Sequence, residues 1–79
     1  MVKVEIFSGP HCAYCEQAKL LMNHNEITFT EYRIDEPEHL QEYQRRLPRS
    51  RSVPQIFVEG EHIGNDQDLA EWINSGRLN

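Results

Sequence analysis

With 79 residues there is room for one small domain around one core, expected to span 1–79, and little beyond it. A formal net charge of −5, from 8 Lys and Arg against 13 Asp and Glu, leaves no broad basic surface and argues against nucleic acid as a partner. No apolar run approaches the ~20 residues that span a bilayer, and Met1-Val2-Lys3-Val4-Glu5 lacks the apolar region and cleavage site of a secretory signal, so neither a membrane nor export is expected and the cytoplasm is the default compartment.

Residues 2–7 alternate apolar Val2, Val4 and Ile6 with polar Lys3 and Glu5, which predicts a strand with one face more deeply buried. Phe7-Ser8-Gly9-Pro10-His11-Cys12-Ala13-Tyr14-Cys15-Glu16 follows, carrying both cysteines of the chain. It leads into the helical spacing of Ala18, Leu21 and Met22, so the pair sits where a strand passes through a tight loop into a first helical turn. Unpaired N–H groups and the positive end of the helix dipole converge there and favour a thiolate over a thiol. Free cysteine titrates at about 8.5, and helix-start or C-x-x-C cysteines fall to roughly 3.5–7.5. Cys12 lies nearer the helix start and is assigned as the nucleophile; Cys15, one turn further in and more shielded, is the resolving thiol. His11 is a candidate for tuning Cys12, since a protonated imidazole beside it would favour the thiolate; an exposed loop histidine with no such role is the plainer reading.

The first helix is expected to run from Cys12 or Ala13 to about Asn23, broken by Asn23-His24-Asn25, where asparagine tolerates the left-handed conformation. Ile27 to Ile34 is rich in β-branched and aromatic residues and reads as a second strand. Asp35-Glu36-Pro37-Glu38 then has a helix-start pattern, with Asp35 as cap, Pro37 in the first turn and Glu38 completing a capping box. Leu40, Tyr43 and Leu47 share one face of that second helix, which must stop near Pro48. Arg45, Arg46, Arg49 and Arg51 crowd together here, as a solvated helix end or a local anion site.

Gln55 to Val58 reads as a short strand, Glu59-Gly60-Glu61 as a tight turn, and His62-Ile63 as the centre of a further strand. Gly64-Asn65-Asp66 is a second turn and cap. Leu69, Trp72 and Ile73 mark the apolar face of a last helix ending at Ser75-Gly76, and capping alone accounts for Asp66 and Asp68. The order is β-α-β-α-β-β-α. A parallel crossover followed by an antiparallel hairpin makes the four-stranded sheet mixed, with three helices packed on its two faces.

In the cytosol a lone C-x-x-C is more often redox-active or metal-binding than a structural disulfide. A bridge that short would close a loop worth only about 2 kcal/mol. Zinc would need two further ligands, and His24, His39 and His62 lack finger spacing while His11 is too close in sequence to complete a regular site, so no metal site is assigned.

Three features together resemble the glutaredoxins, in the thioredoxin-like superfamily: Cys12-Ala13-Tyr14-Cys15, Ser52-Val53-Pro54-Gln55-Ile56-Phe57 and His62-Ile63-Gly64-Asn65-Asp66-Gln67-Asp68-Leu69. The resemblance covers essentially the whole length. It implies the glutaredoxin variant of the thioredoxin-like fold and a dithiol oxidoreductase, with glutathione as co-substrate, that reduces protein disulfides and glutathione-mixed disulfides. It further implies a cis Pro54, a Val53 backbone that pairs with substrate like an added strand, Tyr14 packed over the substrate, and Asp66 and Gln67 at the glutamyl end of glutathione. The chain departs from the family in Ala13 for proline, Gly9 for a lysine and Asn65 for a glycine; Arg49 or Arg51 would replace that lysine as anchor for the glycyl carboxylate. Family members lacking the proline hold an iron-sulfur cluster across a dimer through the nucleophilic thiolate and glutathione, which is the rival expectation to a monomeric reductase. A third keeps the redox chemistry but takes thioredoxin reductase as reductant and a partner such as ribonucleotide reductase as acceptor.

Overall fold

The computed structural model describes residues 2–77 of the chain; Met1, Leu78 and Asn79, the ends of the expected 1–79 domain, lie outside them. The elements are β1 (Val4–Ser8), α1 (Ala13–His24), β2 (Thr30–Arg33), α2 (Pro37–Arg46), β3 (Gln55–Val58), β4 (Glu61–Gly64) and α3 (Asp66–Asn74). The sheet runs β2-β1-β3-β4, with β1 parallel to β2 and antiparallel to β3, and β3 antiparallel to β4. This is the expected mixed four-stranded sheet. Glu59 and Gly60 turn between β3 and β4 with φ of 52° and 80°, the left-handed pair that suits a two-residue hairpin.

Side chains alternate across β1, so its neighbours divide the core in two. Val4 and Ile6 join Ile56 and Val58 of β3, Ala18 and Met22 of α1, and Leu69 and Ile73 of α3. On the opposite face Phe7 packs with Phe57 and Tyr43 of α2, flanked by Tyr32, Ile34, Leu40, Leu47 and Val53. The Phe7 ring meets Tyr43 and Phe57 edge-on, with centroids 5.6 and 5.8 Å apart. Helices cover both faces, as the pattern required.

Four local expectations need correction. All of β1 is buried, including Glu5 at 2% exposure, because Arg46 of α2 reaches its carboxylate with two nitrogens at 3.2 Å and Tyr32 donates to it at 2.9 Å. α1 continues through His24, and the left-handed residue after it is Glu26 (φ 58°), since the Asn25 side chain instead donates to the Leu21 carbonyl at 2.8 Å. β2 is shorter than Ile27–Ile34: the Ile27 N–H turns back to Met22 O at 2.8 Å, and Ile27 and Phe29 pack against the core ahead of the strand. Asp35 does not cap α2. Its carboxylate is taken by the Arg33 guanidinium at 3.2 and 3.3 Å, and the N-cap is Glu36, with no side-chain hydrogen bond.

Candidate active site

The β1–α1 connection brings Cys12 to the N-cap of α1, in extended backbone (φ −113°), with Ala13 the first helical residue. Its sulfur accepts from the Cys15 N–H at 3.1 Å, so one of the unpaired amides of the first turn is aimed at it. The two cysteines are joined as a disulfide with Cα atoms 5.2 Å apart. Cys12 is half-buried, whereas Cys15 has 0% exposure. The expected asymmetry between an accessible and a shielded sulfur is therefore built into one helical turn.

The loop from Ser50 to Pro54 approaches from the other side. Val53-Pro54 is a cis peptide bond, and the Val53 carbonyl oxygen lies 3.7 Å from the Cys12 sulfur. α3 completes the surroundings: its N-cap Asn65 accepts from the N–H groups of Gln67 (3.0 Å) and Asp68 (3.2 Å), and the Asp68 carboxylate accepts from the Asn65 N–H at 3.0 Å. This reciprocal capping box makes Asn65 the cap; Gly64, expected in the turn, ends β4, and Asp66 is already the first residue of α3.

A groove of about 270 Å³ runs between these segments, lined by Tyr14, Ser52, Val53, Pro54, Asn65, Asp66 and Gln67. It gathers five of the expected substrate-binding residues, Tyr14, Val53, Pro54, Asp66 and Gln67, from three separate parts of the chain. Arg49 and Arg51 are exposed and do not line it. Ser52 and Asn65 enter the lining beside Val53 and Asp66; both belong to the motifs that carry the resemblance, and neither has an expected role toward substrate. Tyr14 projects from the first turn of α1 at 62% exposure.

A second depression, of about 540 Å³, opens on the loop side of Cys12 between Gly9, Pro10, His11, Ala13, Glu16 and Arg33. His11 is exposed and held in left-handed backbone at φ 53°. Glu16 pairs with Lys19 at 2.8 Å, Lys19 with Glu31 at 2.9 Å, and Glu31 accepts from the buried Ser8 hydroxyl at 2.6 Å. Burial works against the charge on Glu31, but the Ser8 and Lys19 hydrogen bonds prevail and hold its carboxyl below the usual range. This network ties the first turns of α1 to β1 and β2. Among the described residues no three His, Cys, Asp or Glu side chains gather to hold a metal ion, and no helix is long and apolar enough to cross a membrane.

Comparison with known proteins finds the same family throughout. The family model "Glutaredoxin" matches residues 4–63. The glutaredoxin of Neisseria meningitidis serogroup A is 39% identical over 80 residues, spanning 99% of this chain and 93% of that protein. Glutaredoxin 1 of Francisella tularensis, solved with cacodylate, superposes with a TM-score of 0.81 at 28% identity and full coverage of both chains. A buckwheat glutaredoxin-glutathione complex superposes with a TM-score of 0.77 at 26% identity, covering 95% of this chain and 71% of that one. The chain belongs to the glutaredoxin family, and it is a thiol-disulfide oxidoreductase working through its Cys-x-x-Cys pair.

Proposed function

We propose that Cys12 is the attacking sulfur, Cys15 the resolving one, and glutathione the reductant, bound along the groove of Tyr14, Val53, Pro54, Asp66 and Gln67. The observation that carries this reading is the Val53 carbonyl 3.7 Å from the Cys12 sulfur, with Val53 itself lining the groove. A substrate cysteine whose sulfur meets Cys12 has its own backbone beside Val53, where N–H and C=O pair as in an added strand. At the far end Asp66 takes the ammonium of the glutamyl group, and the positive end of the α3 dipole favours its carboxylate. Arg49 and Arg51 lie outside the groove, so either serves the glycyl carboxylate only from its rim.

The Cys12 thiolate attacks one sulfur of a disulfide in line, forming a mixed disulfide and expelling the other sulfur as a thiolate that takes up a proton. Cys15, deprotonated, then attacks the Cys12 sulfur and releases the second thiol, leaving the Cys12–Cys15 disulfide. Two glutathione molecules restore the dithiol and leave as one glutathione disulfide, so two electrons pass in each turnover. When the substrate is itself a glutathione-mixed disulfide, a second glutathione resolves the intermediate without Cys15. His11 stands at the loop side of Cys12, where its protonated form would add to the field of the helix.

Cys12→Ser is expected to abolish turnover of every disulfide. Cys15→Ser is expected to retain reduction of glutathione-mixed disulfides while losing that of protein disulfides, measured with glutathione and glutathione reductase. Full activity of the Cys12 variant would remove the assignment; activity only with thioredoxin reductase would keep the cysteines and replace the reductant, admitting an acceptor such as ribonucleotide reductase. The cluster-binding alternative draws on the same atom, because Cys15 is closed off and Cys12 is the accessible thiolate this chain offers toward the four that a two-iron cluster takes. We expect anaerobic purification to give a colourless, iron-free monomer; a brown dimer carrying iron and glutathione would establish the rival.

A further inference from the structure

Ser52 ends the loop that delivers Val53, and its carbonyl is held from two directions. The Tyr43 hydroxyl donates to it at 2.7 Å, and the Gln55 amide nitrogen lies 3.2 Å from it. The same nitrogen lies 3.2 Å from the hydroxyl oxygens of both Ser50 and Ser52, and the Tyr43 hydroxyl lies 2.9 Å from that of Ser50. With its nitrogen facing these acceptors, Gln55 presents its amide oxygen to His62, whose Nε2 lies 2.7 Å away and must carry the proton.

Gln55 and Tyr43 are 7% and 3% exposed, and neither lines the groove or touches Cys12. Three elements thus converge on one peptide unit: buried Tyr43 from α2, buried Gln55 from β3 and, acting through Gln55, the exposed His62 of β4. That unit immediately precedes the carbonyl facing Cys12. A two-donor clamp on the Ser52 carbonyl fixes the plane of the Ser52–Val53 peptide, and with it the direction in which Val53 presents its N–H and C=O.

We infer that Tyr43 and Gln55, the latter oriented by His62, are positioning residues that set the Val53 backbone against which a peptide-bearing disulfide is aligned. The inference rests on the reading of Val53 as a partner for the substrate backbone. It assigns a role in recognition to side chains that no substrate reaches. Arg51, between the two pinned serines, is carried on the same clamp.

Tyr43→Phe keeps the ring packed against Phe7, and Gln55→Met is nearly isosteric, so each removes polar contacts while preserving shape. Three oxidants separate the possibilities: the glutathione-mixed disulfide of a cysteine peptide, the same compound N-methylated at the glutathione cysteine, and 2,2′-dithiodipyridine, which has no peptide backbone. The wild type should prefer the parent over the N-methyl compound by about tenfold in KM, the worth of one good hydrogen bond. Each variant should lose that preference and raise KM for the parent about tenfold with kcat within about twofold, while reaction with dithiodipyridine keeps its rate. Should the wild type discriminate and both variants keep its KM and its preference, the positioning role is wrong and the Val53 reading stands. A wild type indifferent to N-methylation removes the Val53 reading and this inference together. An equal loss toward dithiodipyridine would mean general damage around Cys12, and would also overturn the role.

Discussion

Cys12 and Cys15 are the same residue type one helical turn apart, yet the fold gives them different surroundings. Cys12 occupies the N-cap, half-buried, with an amide N–H directed at its sulfur, whereas Cys15 is fully buried in the first turn of α1. The proposed order of attack expects the cap to favour an anion at the first position and burial to oppose one at the second. In the reduced protein, iodoacetamide at pH 7 should therefore label Cys12 at least about tenfold faster than Cys15, given the thiolate fractions such helix-start cysteines reach. Peptide mapping by mass spectrometry checks the ratio, and equal labelling would deny the asymmetry on which the attack order depends. This contrast was legible in the sequence because it is local: a strand, a tight loop and a helical pattern place both sulfurs within one short stretch. The wider lining of the groove was legible only in part. Ser52 and Asn65 face it because two distant loops meet there, and nothing in either residue's own neighbourhood announces the other.

Helix starts decide how the elements deliver those residues, and two similar sequence patterns had opposite outcomes. Asn65-Asp66-Gln67-Asp68 forms a complete capping box, whereas Asp35-Glu36-Pro37-Glu38 forms none, because Arg33, two residues upstream, claims the Asp35 carboxylate. A cap can be read from spacing only when no stronger partner competes for its oxygen. The α3 box also explains Gly64, which has φ +120° and a position where any Cβ would run into the Asp68 carboxylate. Asn65→Ala removes the acceptor for two amides and should cost about 1 kcal/mol in urea unfolding. Since Asp66 and Gln67 sit in the turn it caps, KM for glutathione should rise as well, while alkylation of Cys12 stays as in the wild type. Unchanged stability and KM would show that the box is decoration on a helix held by Leu69 and Ile73 alone.

Across the whole molecule, acid resistance depends on carboxylates that the charge pattern presented as ordinary surface. In the sequence Glu5 is the polar side of an alternating strand, and its partner Arg46 lies 41 residues away, a pairing visible only once α2 packs over the sheet. Burial pushes the Glu5 carboxyl up, but hydrogen bonds from Arg46 and Tyr32 and the charge of Arg46 outweigh it and hold it below the usual range. Glu42, gripped by Arg45 and then Arg46, is pulled from 4.5 to about 2. Carboxylates with lowered folded values bind protons more readily in the unfolded chain, so the stability they contribute is complete above the ordinary value near 4.5 and drains away as pH falls below it. Wild-type unfolding free energy should therefore be flat from about pH 7 to 5 and decline below about 4.5. Arg46→Met reverses the sign at one site. With its cation gone, the buried Glu5 carboxylate keeps only Tyr32 and the exposed Lys3 ammonium at 4.0 Å, so its folded value should rise and protonation should relieve the fold. At pH 7 this variant should lose roughly 1–3 kcal/mol, the cost of stranding a buried acceptor. At pH 3 the deficit should shrink, because Glu5 is then neutral in the variant and no longer needs a partner. Urea titrations at the two pH values measure both numbers, and parallel stability curves for the two proteins would exclude the Glu5–Arg46 pair as a source of the acid response.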